Sequence, residues 1–145
     1  MLRSSGFTLL ELLLVLLILG LAYGLALPML DNGSLGLELK SSARQVAAGL
    51  RTARSQAVSR RIEAVMTIDI EKKTFQITDD PKTYPLSNRL ELSLFTAQTE
   101  LEHGASGSIR FFPDGSSTGG RVSLTAGKEV MSVDVNWLTG RVSIL

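Results

Sequence analysis

The sequence contains no cysteine and only one histidine in its 145 residues. The absence of cysteine excludes a disulfide scaffold, a thiolate nucleophile and any cysteine-ligated zinc or iron–sulfur centre. A single histidine excludes most histidine-based metal sites, and the sequence has no calcium-loop or Walker A motif, so no metal and no cofactor are predicted. Fifteen basic residues against fourteen acidic ones give a net charge of +1, which offers no general electrostatic basis for binding nucleic acid.

One long apolar run stands out in this otherwise ordinary composition. Residues 7–30 contain a single acid, Glu11, and no base. About 20 helical residues, each rising about 1.5 Å, cross a hydrocarbon core of about 30 Å. Three interpretations fit the run: a secretory signal cleaved after Ala26, a plain single-span anchor, or a helix in which Glu11 has a function.

Glu11 is the residue that separates these interpretations. A carboxylate within an apolar membrane helix costs about 2.5–3.5 kcal/mol, although a position near the membrane interface would lower that cost. No lysine or arginine lies in residues 7–30 to pair with it. Cleavage before Phe7 would create an α-amine about one helical turn away, and a neighbouring copy could present such an amine to Glu11. On this interpretation the acid sets the alignment of adjacent helices.

A short basic leader that ends at Gly6, followed by Phe7, Glu11 and the apolar run, resembles the class III signal of type IV pilins and pseudopilins. The resemblance implies that a membrane peptidase cuts between Gly6 and Phe7 and methylates the new amino terminus. It also implies that Glu11 pairs with a neighbour's amine and that the helix loosens at Gly20 and Pro28 during filament assembly. Independently, proline removes a backbone donor, and glycine lowers helix propensity by about 1 kcal/mol relative to alanine.

The next segment predicts an amphipathic helix within residues 31–63. Residues 31–34 have turn chemistry, and Ser34 is a candidate helix cap. Apolar residues then recur at alternating spacings of four and three. This stripe comprises Leu35, Leu39, Ala43, Val46, Leu50, Ala53 and Ala57. The opposite side carries Lys40, Arg44, Arg51, Arg54, Arg60 and Arg61. A solvated face explains these bases better than a nucleic-acid surface, because no aromatic residues alternate with them.

Residues 64–145 read as seven short strands, so the fold class is α+β, with antiparallel sheet folded over the apolar stripe of the helix. The predicted strands are 64–70, 74–78, 89–95, 108–112, 121–125, 129–135 and 141–145. Residues 79–88, which include two prolines, are predicted to form a loop. Either Phe111 or Phe112 is expected to anchor the core.

Residues 109–120 resemble the characteristic hairpin of the pseudopilin H domain, which certain minor type IV pilins share, and residues 137–142 resemble its final hairpin. The candidate partner contacts are Asp114, Gly115, Ser116, Ser117, Thr118 and Gly119. The same loop matches the G-x-S-x-G nucleophile elbow. That motif requires a following helix and a later histidine, whereas a strand follows here and His103 comes earlier, so a hydrolase is disfavoured.

Together the resemblances imply a pilin-like fold in which a long amino-terminal helix packs on antiparallel sheets. Residues 1–6 would be the leader, 7–30 the membrane-spanning and filament-core helix, 31–63 the amphipathic helix and 64–145 a periplasmic β domain. The implied protein is a single-pass protein of the inner membrane that is incorporated into a filament in the periplasm.

The implied function is that of a minor pseudopilin, a structural and non-enzymatic subunit of the type II secretion pseudopilus, which helps export folded proteins across the outer membrane. Its implied partners are other minor and major pseudopilins, the prepilin peptidase, the inner-membrane assembly platform and, before assembly, the lipid bilayer. A minor pilin of a type IV pilus or DNA-uptake filament is the alternative. A periplasmic enzyme behind an ordinary signal peptide is a third interpretation. Nucleic acid is not an expected partner.

Overall fold

The structure, a computed structural model, describes residues 6–96 and 105–145, and in residues 25–33 it describes the backbone alone. His103 and most of the predicted leader therefore lie outside the described residues. The chain divides into two compact units, Met1–Ser34 and Leu35–Leu145. The elements in chain order are α1 (Leu9–Arg60), β1 (Ala64–Asp69), β2 (Thr74–Ile77), β3 (Thr83–Pro85), β4 (Glu91–Phe95), β5 (Ser106–Phe111), β6 (Gly120–Ala126), β7 (Glu129–Val135) and β8 (Val142–Ile144).

Helix α1 has 52 residues, of which those up to Ser34 belong to the first unit and the rest to the second. The predicted turn at residues 31–34, with Ser34 as a helix cap, is wrong, because these residues have helical backbone. The segment contains one glycine, one asparagine and one aspartate. Relative to alanine, glycine lowers the stability of a helix by about 1 kcal/mol and the other two lower it by less, a loss that a helix of this length tolerates. The helix ends at Arg60, and Arg61 follows with a left-handed φ of 55°.

The strands of the second unit form two antiparallel sheets. Sheet A has the order β3-β2-β1-β5, and sheet B has the order β4-β6-β7-β8. The predicted hairpin of the first two strands is confirmed, with Met66 opposite Ile77. The loop predicted at residues 79–88 is partly wrong, because it contains β3. Pro85 lacks an N–H but is tolerated at a sheet edge, and the Tyr84 ring stacks on Phe75 with the ring centroids 5.0 Å apart.

The core of the second unit is one cluster of apolar side chains drawn from the helix and from both sheets. The helix positions predicted to be apolar and inward-facing are confirmed, since Leu39, Val46 and Leu50 are at most 1% exposed. Phe111 is fully buried, whereas the neighbouring Phe112 is half-buried. The aromatic anchor of the core is therefore Phe111.

Candidate functional site

The first turn of α1 is capped by Thr8. The backbone N–H of Glu11 donates to the Thr8 hydroxyl oxygen (3.3 Å) and to the Thr8 carbonyl oxygen (3.1 Å). This arrangement is one half of a capping box, in which a serine or threonine is followed three residues later by glutamate or glutamine. Glu11 also lies at the positive end of the helix dipole. Thr8 thus caps the helix at the backbone of Glu11, a local role that sequence reasoning missed, although the Thr-x-x-Glu spacing signals it.

The predicted processing site and the predicted register residue lie on an exposed apolar segment. Gly6, Phe7 and Glu11 are exposed, as are the other residues of 6–24, and the Phe7 side chain is 75% exposed. Gly20 lies within α1, and a Cβ added there would meet open space. Pro28 falls in the part described by backbone alone. Loosening of the helix at Gly20 and Pro28 stays a prediction.

Within the part of the chain that the structure describes, no helix has both the length and the apolarity needed to cross a membrane. The side chains of residues 25–30, which complete the predicted span 7–30, lie outside that part.

The loop that follows β5 is held by its own hydrogen bonds. The Ser116 hydroxyl and the Ser116 backbone N–H both donate to the Asp114 carboxylate, and these bonds lower the pKa of Asp114 from its ordinary value. The Ser117 hydroxyl donates to the Arg110 carbonyl oxygen (2.8 Å) and accepts from the Gly119 N–H (3.0 Å). These internal hydrogen bonds give the loop a defined conformation.

The six predicted partner contacts differ in their accessibility. Asp114 is exposed, Ser116 and Thr118 are half-buried, and Gly115, Ser117 and Gly119 are buried. Contact with a partner through this loop would therefore be made chiefly by the side chains of Asp114, Ser116 and Thr118.

Two arginines of helix α1 donate hydrogen bonds to backbone carbonyl groups that are far away in the sequence. The Arg51 guanidinium donates to the Val142 carbonyl oxygen (3.4 Å), and the Arg54 guanidinium donates to the Gly115 carbonyl oxygen (3.3 Å). Arg54 thus fastens the loop after β5 to the helix. These bases stabilise the domain, a role that sequence reasoning missed because each bond joins residues far apart in the chain.

The nucleophile-elbow motif does not have the geometry that its chemistry needs. Ser117 pairs with Phe111 in an isolated β-bridge, and the chain continues into β6 rather than into a helix. The Ser117 side chain is only 5% exposed, and both of its hydrogen bonds are internal. Among the side chains that the structure describes, no group of three or more acidic or histidine residues could hold a metal ion.

Comparison with known proteins connects this fold to a family. The family model described as "Type II transport protein GspH" matches residues 42–140, which is more than half of the chain. The chain belongs to the GspH family. A second model, described as a prokaryotic N-terminal methylation motif, matches residues 1–27. This GspH-family chain is also 36% identical over 140 residues to the type II secretion system protein H of Xanthomonas campestris pv. campestris, covering 97% of this chain and 82% of that protein.

Solved structures show the same fold at low sequence identity. The minor pseudopilin EpsH of Vibrio cholerae has a TM-score of 0.59 and 15% identity, over 74% of this chain and 96% of that one. The type IV minor pilin FimU of Pseudomonas aeruginosa has a TM-score of 0.58 and 17% identity, over 74% of this chain and 88% of that one. These likenesses confirm the predicted pilin-like fold, and they do not by themselves separate a secretion subunit from a pilus subunit.

The 36% identity to a type II secretion system protein H favours a secretion subunit over a pilus subunit. This GspH-family chain is a minor pseudopilin of the type II secretion system, a structural subunit and not an enzyme, and the pilus alternative is not better supported. Family membership together with the methylation motif implies processing by a prepilin peptidase, pilin-like partners, anchoring in the inner membrane and a periplasmic pseudopilus.

Proposed function

We propose that this minor pseudopilin is cut between Gly6 and Phe7, methylated on Phe7 and held in the inner membrane by residues 7–30 until it enters the pseudopilus. There, with other minor and major pseudopilins and the inner-membrane assembly platform, it helps to export folded proteins across the outer membrane. The observation that carries the proposal is the match of the methylation motif to residues 1–27, which include the Gly6–Phe7 bond.

The amino-terminal helix supports this proposal through its surface chemistry. Large apolar side chains cover it on all sides, and Leu9 and Leu10 are 80% and 78% exposed. Apolar surface removed from water contributes about 25 cal/mol per Å². A bilayer before assembly and a bundle of neighbouring helices afterwards would each cover this surface.

The first test is the mass and amino-terminal sequence of the native protein. We expect the mature chain to begin at Phe7 and to carry one methyl group on that residue. The control is Gly6→Leu, which places a bulky side chain next to the bond and should leave the leader attached. A mature chain that begins after Ala26, or that retains Met1, would refute the proposal.

Glu11 is proposed to pair with the amino terminus of a neighbouring subunit and thereby to set the register of the helices. Without Glu11 the α-amine of the neighbouring subunit would be left unpaired among apolar helices. A charge in such surroundings costs about 2.5–3.5 kcal/mol, and each 1.4 kcal/mol corresponds to a factor of ten in an equilibrium constant. We therefore expect Glu11→Ala to lower incorporation into the pseudopilus at least about tenfold while processing at Gly6 continues. Incorporation is measured by cross-linking between subunits in cells, with secretion as the second readout.

Two matched variants separate the charge of Glu11 from the helix cap. Glu11→Gln keeps a side chain suited to a capping box but removes the charge, whereas Thr8→Ala removes the cap and keeps the charge. The register hypothesis predicts that Glu11→Gln is as defective as Glu11→Ala and that Thr8→Ala is close to wild type. The opposite pattern would mean that Glu11 acts only by capping the helix.

A further inference from the structure

A cleft of about 590 Å³ lies at the end of sheet B where β4 finishes and β6 begins. Phe95 and Trp137 are two large apolar side chains of this cleft, and they are 79% and 66% exposed. Val135 and Gly120, which face each other on neighbouring strands, also line it. Exposed apolar surface of this kind is typical of binding sites, and tryptophan is over-represented among residues that dominate protein interfaces.

Trp137 belongs to a turn that hydrogen bonds hold in one conformation. The Asn136 side-chain oxygen accepts from the backbone N–H groups of Leu138 and Thr139, each at 3.0 Å. The Trp137 carbonyl oxygen accepts from the Ser117 N–H at 2.8 Å, which ties this turn to the loop after β5. These bonds leave the Trp137 and Leu138 side chains exposed but fix the backbone that carries them. Fixed contact residues lose little conformational entropy on binding.

The charges at the edge of the cleft cancel. The Arg121 Nε lies 3.0 Å from the Asp134 Oδ1, and both residues line the cleft. A neutral rim gives no electrostatic attraction to a lipid phosphate or to a nucleic-acid backbone. Complementarity of charge and polarity therefore favours an uncharged apolar segment of a protein as the occupant.

We propose that this cleft, together with Trp137 and Leu138, binds an uncharged apolar segment of a neighbouring subunit in the pseudopilus. The inference rests on the proposed function, because it requires that the chain enters a filament. It assigns the principal partner surface to the turn after β7, next to the loop at residues 114–119 that the sequence indicated.

The composition of the chain makes the surface easy to probe. Because the protein has no cysteine, a single Leu138→Cys substitution gives one attachment point for a maleimide-linked benzophenone. Val130→Cys is the matched control, since Val130 in β7 is also a large exposed apolar side chain (58% exposed) but, unlike Leu138, is not next to Trp137 in the chain and does not line the cleft. Each full-length variant is expressed in cells that carry the secretion system, and light-induced adducts are identified by peptide sequencing.

We expect the Leu138→Cys probe to form an adduct with a subunit that bears its own amino-terminal methylation motif, and the Val130→Cys probe to form little or none. Adding Trp137→Ala should lower the adduct yield about tenfold or more, as for a residue that dominates an interface. The fold should persist, because the Ser117 bond is to the backbone of Trp137 and alanine keeps it. Circular dichroism of the purified variant checks this point.

Several results would overturn the inference. They are the absence of any adduct, an adduct only with lipid or with a protein that lacks an amino-terminal methylation motif, and a yield that Trp137→Ala leaves unchanged. The amino terminus of the same samples is sequenced to keep the two proposals apart. A chain that begins at Phe7 but fails these tests refutes the surface alone, whereas an unprocessed or shortened chain refutes the proposed function.

Discussion

Replacing Phe111 with alanine is expected to lower the free energy of unfolding by about 3–5 kcal/mol. Phe111 lies in β5 opposite Ala64, and its side chain is fully buried between the helix and the sheets. Truncation removes the transfer free energy of the ring and leaves a cavity that close-packed neighbours fill only in part. The loss is measured by urea unfolding of the full-length protein in detergent, followed by circular dichroism.

Phe112→Ala is the matched control, since it deletes the same atoms one residue later. Phe112 is half-buried, so we expect its truncation to cost about 1 kcal/mol or less. Successive side chains of a strand point to opposite faces, and a slip of one residue would exchange the two phenylalanines. Equal losses for both variants, or a larger loss for Phe112→Ala, would contradict the register of β5 against β1.

The same pair of residues shows how far the sequence determines the fold. Two adjacent phenylalanines in a strand indicate that one of them faces inward. Side chains alternate between the two faces of a sheet, but this alternation alone does not show which phenylalanine faces the core. The choice depends on pairing with β1, which lies more than forty residues earlier. The inward-facing positions of the helix could be predicted without knowledge of any distant pairing, because apolar residues at spacings of three and four along one element mark them.

Apart from the cap by Thr8, the features that were mispredicted or missed depend on contacts between distant residues or on the length of an element. The strand at Thr83–Pro85 forms because β2 is available as a neighbour and because the Tyr84 ring stacks on Phe75. Helical backbone at residues 31–34 reflects the length of the element rather than the preference of its local residues. Both cases exemplify local propensity overridden by context.

The candidate sites also differ in whether their signal is local in the sequence or depends on contacts between distant residues. The candidate residues at the amino terminus can be predicted from the sequence because their signal is a short contiguous motif, and their roles stay a prediction. The cap by Thr8 also has a local signal, the Thr-x-x-Glu spacing, so the sequence is sufficient to predict it. Arg54, by contrast, bonds to a carbonyl 61 residues away, and Trp137, in the turn after β7, lines a cleft with Phe95 of β4. Residue type and spacing carry no signal for such contacts.

Gly140→Ala is expected to lower the free energy of unfolding by roughly 2–5 kcal/mol. Gly140 has a φ of 63°, where a side chain costs about 1–2 kcal/mol. A Cβ at this position would also overlap the Gly115 carbonyl oxygen and lie 2.9 Å from the Arg54 Nε. Overpacking of this kind costs about 1–3 kcal/mol more. Urea unfolding of the full-length protein in detergent measures the total.

Gly127→Ala separates the two contributions. Gly127 has a φ of 62°, almost that of Gly140, but a Cβ added there would have no atom within 4 Å. Its substitution should therefore cost about 1–2 kcal/mol, the conformational part alone. If both variants lose the same stability, the close approach of Gly140 to Gly115 and Arg54 is not rigid. In that case the turn that contains Trp137 and Gly140 can move away from Gly115 and Arg54 when a side chain is added at Gly140.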